Sequence, residues 1–310
     1  MIRWMLVMLI VAFFPLTGNG QGYSFCNKLV GLSDTENGTA SQITSAEVSR
    51  ELKFVRYMIG RDDLEESLYL LSRIDTDDGL LRDSVDYLTG WVLYRQKKLK
   101  ASADYLLQVS DASSAYYKSR FFGAYNLAHI GNHDRAYSVL SSLDIQDSGM
   151  KTAMRSLQLA GVALLSRELD TYESLAADFN GDYHVMAAEE RRMNDHFKAI
   201  QETPLRSPFV GGLLSAAVPG LGKVYAGKSA EGIVSFLYMA ALGLTTYDFY
   251  DGAGLKSPLF ILSASVTGLF YAGNIVGSAT AVRRANNEFR HEMDQRILFD
   301  MHIPLRNAFN

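Results

Sequence analysis

Between residues 207 and 281 the charged side chains are Lys223, Lys228, Glu231, Asp248, Asp251 and Lys256, with long apolar stretches between them. No other feature restricts the fold as strongly. Side chains this apolar leave water either for a large buried core or for lipid. The mean hydropathy of the chain, -0.02, is that of a soluble protein, but it averages this stretch with a highly charged middle.

Three apolar segments make up the region. The first, 208–226, is broken by Pro219-Gly220, and it is followed by 232–247 and 258–281. A membrane-spanning helix needs about 20 apolar residues, so the third segment is long enough and the second nearly so with its flanks. The first can cross as a kinked helix, re-enter, or lie along the interface.

The N-terminus bears on that choice. Arg3, an apolar run from Trp4 to Phe14, Pro15 and the small residues Gly18-Asn19-Gly20 describe a secretory signal over residues 1–20, with cleavage expected after Gly20. A short uncleaved anchor is the alternative, and it too exports the chain beyond it. Residues 21–45 read as a flexible lead-in. The lone Cys26 has no partner for an internal disulfide, and Phe25 before it does not fit a lipidation site, so an inert thiol is expected. Asn37-Gly38-Thr39 is an acceptor triplet with meaning only in a eukaryotic secretory pathway.

Charge flanks then constrain the topology. Lys223 and Lys228 lie between the first two segments, Arg283 and Arg284 follow the third, and Asp248 and Asp251 lie between the second and third. The positive-inside rule places the cations in the cytoplasm. With an exported middle, three crossings satisfy both signals, whereas a two-helix hairpin would export the cations. Three are therefore expected.

Residues 46–203 have apolar spacings of three and four, as in Leu52, Val55, Met58 and Ile59, or Leu64, Leu68 and Leu71. They predict successive amphipathic helices with turns at Gly60-Arg61-Asp62, at 75–79 and at Gly131-Asn132. Within them Tyr87, Gly90, Trp91, Tyr94, Ala103 and Leu107 form a pattern that returns as Gly123, Ala124, Gly131, Ala136 and Leu140, with Ala103 and Ala136 33 residues apart. This resembles the tetratricopeptide (TPR) repeat, with looser units at 51–74 and 152–179. The resemblance implies an α-solenoid whose concave face binds protein partners. Its pattern directs Arg95, Gln96, Lys118, Phe121, Tyr125 and His129 toward that face.

Other pairings are weaker. His129 and His133 stand four apart but Gly131 falls between them, Asp75, Asp77 and Asp78 read as a polar helix connection, and Gly222-Lys223 lacks the remainder of a phosphate loop. The cluster from Glu189 to Arg192 reads as a charged helix face. The net charge of -4 and the lack of a basic stripe exclude a nucleic-acid binder. No metal, cofactor, small-molecule substrate or catalytic set is expected, and neither is an enzyme.

In the C-terminal region the run from Leu213 through Pro219, Gly220, Leu221, Gly222, Tyr225 and Gly227 to Gly232 resembles the Pro-Gly-x-Gly-x-x-Tyr-x-Gly turn of TM2-like and related bacterial membrane domains. In those domains the turn joins two membrane helices. Small residues at Ala264, Gly268, Gly273, Gly277 and Ala281 give the third segment a smooth face, expected to serve helix packing within a domain at 204–282. Beyond it, 283–310 forms a tail with Phe289, Met293 and Ile297 at four-residue spacing, an amphipathic helix for a membrane or partner surface.

The expectation is thus an all-α protein: a TPR-like solenoid plus a transmembrane domain of two to three helices, with the array in the periplasm and the anchor in a bacterial inner membrane. It would be a scaffold or adaptor that binds proteins and contacts the lipid bilayer. The alternative is a membrane-active component of a translocation, insertion or export assembly.

Overall fold

A computed structural model describes residues 45–145 and 149–309, which fall in one compact unit. The signal, most of the lead-in, Cys26 and the Asn37 triplet lie outside the described residues. Among those described there are thirteen α-helices and no strands.

The first eight helices pack in sequence as four pairs: α1 (Ser45–Gly60) with α2 (Leu64–Arg73), α3 (Gly79–Arg95) with α4 (Leu99–Leu106), α5 (Tyr116–His129) with α6 (His133–Ser141), and α7 (Met150–Ser166) with α8 (Leu169–Ala176). One turn geometry serves all four pairs. Asp62, Lys97, Gly131 and Arg167 adopt left-handed φ values of 72°, 60°, 81° and 63°. After each, a backbone N–H reaches five residues back: Asp63 to Met58, Lys98 to Leu93, Asn132 to Leu127 and Glu168 to Ala163. This is the Schellman closure of a helix end, which satisfies carbonyls the helix leaves bare. Three of the four positions carry a side chain despite the steric cost of that conformation, roughly 1–2 kcal/mol.

Small residues set the approach within and between pairs. A Cβ at Gly90 would lie 2.7 Å from the Leu106 side chain, and one at Gly123 2.8 Å from Leu107. Ala103 and Ala136 are fully buried. Ser102 donates to the Gly90 carbonyl at 2.6 Å and accepts from Asn126 at 2.9 Å, which joins α3, α4 and α5 through one buried hydroxyl.

After α9 (Ala187–Glu202) the chain turns apolar. α10 (Pro208–Ala217) and α11 (Leu221–Tyr225) are short; among the described residues α12 (Ser229–Ala253) and α13 (Pro258–Phe309) are the two helices long and apolar enough to cross a membrane by length and composition. α13 alone has 52 residues, about 78 Å at 1.5 Å per residue. Its first half pairs antiparallel with α12, from Tyr250 against Phe260 through Thr246 bonded to Ser263 and Thr267 to Tyr238 against Phe270.

α10 is only about 15 Å long, half a hydrocarbon core, too short by itself for the expected third crossing. It runs down α13 instead. Gly211 lies against Val282, Gly212 near Ala279 and Ile275, and the Ala216 carbonyl accepts from the Tyr271 hydroxyl. The Pro219-Gly220 turn then reverses the chain, and α11 climbs back until the Tyr225 hydroxyl accepts from the Ser207 amide at 3.3 Å. Lys228, at the start of α12, pairs with Glu288 at 3.7 Å. This half-depth hairpin starts and ends at the same level of α13.

The glycines here divide into two groups. A Cβ at Gly222 would overlap the Gly211 carbonyl oxygen, and one at Gly220, where φ is +87°, would overlap that of Gly232. Gly227 is also left-handed, closing α11. Gly268, Gly273 and Gly277 differ, with open space where a Cβ would be. The expected packing at these three glycines within the domain is not found.

Candidate functional site in the groove of the array

The second half of α13 leaves the apolar hairpin and lies along α5, α7 and α9. Met293, Ile297, Met301 and Leu305, four residues apart, are almost fully buried, and the last three belong to the main hydrophobic core of the array. The tail is therefore not a free amphipathic helix awaiting a membrane. Its apolar stripe continues the spacing visible at Met293 and Ile297, and the array covers it.

The docking is specific. Gln158 donates to the Met301 carbonyl at 2.7 Å in the interior, and a Cβ at Gly161 would meet the Met301 side chain at 2.6 Å. Arg167 reaches Asp294 at 2.8 Å from its left-handed turn. Asp300, almost fully buried, accepts from Arg192 and pairs with His196, each at 2.7 Å, while Arg192 also holds Glu189. Burial opposes the charge on Asp300, but hydrogen bonds from His196 and Arg192, with the Arg192 charge, hold its carboxyl below the usual carboxylate range. Glu189 and Glu190 are buried while Arg191 is exposed, so the charged face at 189–192 is partly interior; Glu190 accepts from the Gly181 amide at 3.0 Å.

The six residues that the repeat pattern directs to the groove do not stay together. Lys118 donates to the Phe309 carbonyl at 2.8 Å and stands 4.3 Å over the Trp91 ring. Burial pushes its ammonium pKa down. Phe121 is fully buried against Phe309. Tyr125 stacks on His302 with ring centroids 5.2 Å apart, and His129 stands edge-on to Tyr125 at 6.0 Å. His133, by contrast, begins the next helix. Lys118, Phe121, Tyr125 and His129 thus form one surface, occupied by the chain's own C-terminus. Arg95 faces the other way along α3, bonded to the Ile59 carbonyl at 2.6 Å and to Asp62 at 2.7 Å. Gln96 caps α3 and has a buried carboxamide oxygen without a hydrogen bond.

Sequence reasoning missed His302, Asp300 and Phe309. His302 hydrogen-bonds the Tyr94 hydroxyl; burial, then the charges of Arg306 and His129, lower its pKa. The four-residue stripe is the signal for the tail's buried face, but nothing local names its partner.

Beside the tail the groove stays open over about 400 Å³, lined by Trp91, Tyr94, Arg95, Phe122, His302 and Arg306. The Arg306 guanidinium beside these rings suits a carboxylate on an aromatic or aliphatic chain, whereas the Arg95 guanidinium is already held by the Ile59 carbonyl and Asp62. The fold and this surface define a class: sequentially packed helix pairs closed by the end of a long C-terminal helix that also belongs to an apolar hairpin. No family model, curated protein or solved structure matches the chain.

Proposed function

We propose that this protein is a membrane-anchored scaffold that holds a TPR-like array against one face of the bilayer and receives an acidic segment of a partner protein in the open end of its groove. The observation that carries the proposal is the docked tail. One continuous helix forms half of the apolar hairpin and part of the array's core, so anchor and array cannot swing independently. A rigid connection of that kind suits positioning more than chemistry. The recurring left-handed turns, 34 to 36 residues apart, support the TPR-like reading.

The apolar hairpin is the anchor. Ile233, Val234, Leu237, Leu244, Leu262, Leu269 and Val276 are all exposed, a patch that a water-soluble surface does not sustain. With α10–α11 returning to its starting level, the array, the tail and the cations Lys228, Arg283 and Arg284 share one side. The signal-like leader puts that side outside the inner membrane. The positive-inside bias pulls the other way, but it acts on short loops, whereas a long domain translocates largely regardless of charge.

Photocrosslinkers placed at Trp91 and, as an outward control, at Glu66 of the full chain test the groove in cells. Trp91 should yield adducts of defined mass that disappear with Arg306→Glu. The proposal fails if Trp91 gives none above background, or the same adducts as Glu66.

A further inference from the structure

The half-depth hairpin leaves a cleft against α13 whose chemistry changes along its depth. Its outer part, about 260 Å³, is lined by Lys223, Lys228, Glu231, Gly277 and Arg284. Its inner part, about 670 Å³, shares Lys223 and continues over Tyr238, Leu269, Phe270, Gly273 and Asn274. Gly273 and Gly277 are what keep it open, since neither has a neighbour within 4 Å of its missing Cβ.

Three cations face one lining carboxylate, Glu231. Lys228 is also paired with Glu288 at 3.7 Å, while Lys223 donates only to the neutral Ser235 hydroxyl at 2.7 Å. Below them Asn274 has both its amide nitrogen and its carbonyl oxygen buried without a hydrogen-bond partner. From Arg284 to Asn274 is ten residues of helix, about 15 Å. Cations at the mouth and an aromatic and aliphatic wall below are the order of phosphate and acyl chain in a phospholipid entering from the surface.

We infer that this cleft binds one anionic glycerophospholipid, its phosphate on Lys223, Lys228 and Arg284 and an acyl chain over Gly273. Basic pockets between membrane helices are a general means of recognising anionic headgroups. This inference rests on the hairpin residing in the bilayer, as proposed above.

The test uses the full chain in phosphatidylcholine nanodiscs carrying increasing phosphatidylglycerol, with bound lipid counted by native mass spectrometry. One retained phosphatidylglycerol per chain is expected, preferred over phosphatidylcholine. Lys223→Gln should lower that preference about fivefold, the effect of one basic residue near the headgroups. Gly273→Leu, which keeps every charge but fills the cleft, should lower it comparably. Lys256→Gln, at the far end of the hairpin, should not, and inorganic phosphate should not displace the lipid. Equal retention of both lipids, an equal loss in the Lys256 variant, no loss in the Gly273 variant, or displacement by phosphate would each overturn the site. A chain that does not enter nanodiscs at all would instead refute the membrane reading on which the site rests.

Discussion

His302 and Asp300 lie two residues apart on the docked tail and respond to acid in separate windows. Both are held below their ordinary pKa, so each binds fewer protons when the tail is docked than when it is free. Docking is then fully supported above the free-state value and loses support as pH falls through the docked one. For His302, facing Tyr94 on α3, Tyr125 and His129 on α5 and Arg306 on its own helix, the loss begins near pH 6.5. For Asp300 it begins near pH 3.9. The size of the effect is limited by what else holds the tail. Four buried apolar side chains at about 1.5–3 kcal/mol each outweigh one histidine, which contributes about 1.4 kcal/mol for each tenfold change in its proton affinity. Hydrogen exchange of residues 285–309, corrected for the intrinsic pH dependence of the amides, should therefore show a graded loss of protection between pH 7 and 5, without release of the tail. His302→Phe, which keeps the ring on Tyr125 but cannot titrate, should flatten that slope and leave the lower step. An unchanged slope would remove His302 from the account. Asp300→Ala should cost about 2 kcal/mol of docking, less than the roughly 3–5 kcal/mol of a fully buried pair because Arg192 regains water.

Among the elements, the glycines separate by what surrounds them, and that surrounding was only partly legible in the sequence. The Pro219 to Gly227 run identifies a turn, and the turn is there, with Gly220 and Gly222 fixed by backbone that a Cβ would strike. Its depth was not legible. Apolar composition is the same for a helix that crosses and one that turns back, and only the contacts of Gly211, Gly212 and Ala216 with α13 tell them apart. The array was more legible, since three- and four-residue spacing is intrinsic to an amphipathic helix. Even so, the left-handed Asp62, Lys97 and Arg167 carry no glycine to announce them. The small-residue face of α13 suggests packing in the sequence because spacing records only that a close approach is allowed. Two substitutions discriminate. Gly222→Ala should destabilise the full chain in detergent by about 3 kcal/mol or more, since backbone must move. Gly268→Ala, in open space inside a helix, should stabilise it by roughly 0.5–1 kcal/mol. Thermal unfolding of both proteins gives the comparison, and a loss at Gly268 would restore the packing role to that face.

For the whole molecule, the 52-residue α13 makes a statement about sidedness that no segment makes alone. On the proposed anchoring α13 crosses the bilayer once, so its tail emerges opposite the α12–α13 loop. Because the tail's side chains lie in the array's core, the array must be on the tail's side. The three-crossing arrangement, which separates array from tail, would leave Ile297, Met301 and Leu305 unburied and Asp300 without Arg192 and His196. Reporters active only outside the cytoplasm, fused after Gln201, Gly254 and Asn310, read this directly. Agreement between Gln201 and Asn310, with Gly254 opposite, is the pattern the docked tail requires. If the agreeing pair is active, the leader has set the orientation and the cations were exported with the folded domain. If that pair is inactive and Gly254 active, the hairpin stands and the positive-inside bias prevails, moving the array to the cytoplasm. Disagreement between Gln201 and Asn310 would show that array and tail are parted by the membrane, and would overturn both the docked tail and the rigid scaffold built on it.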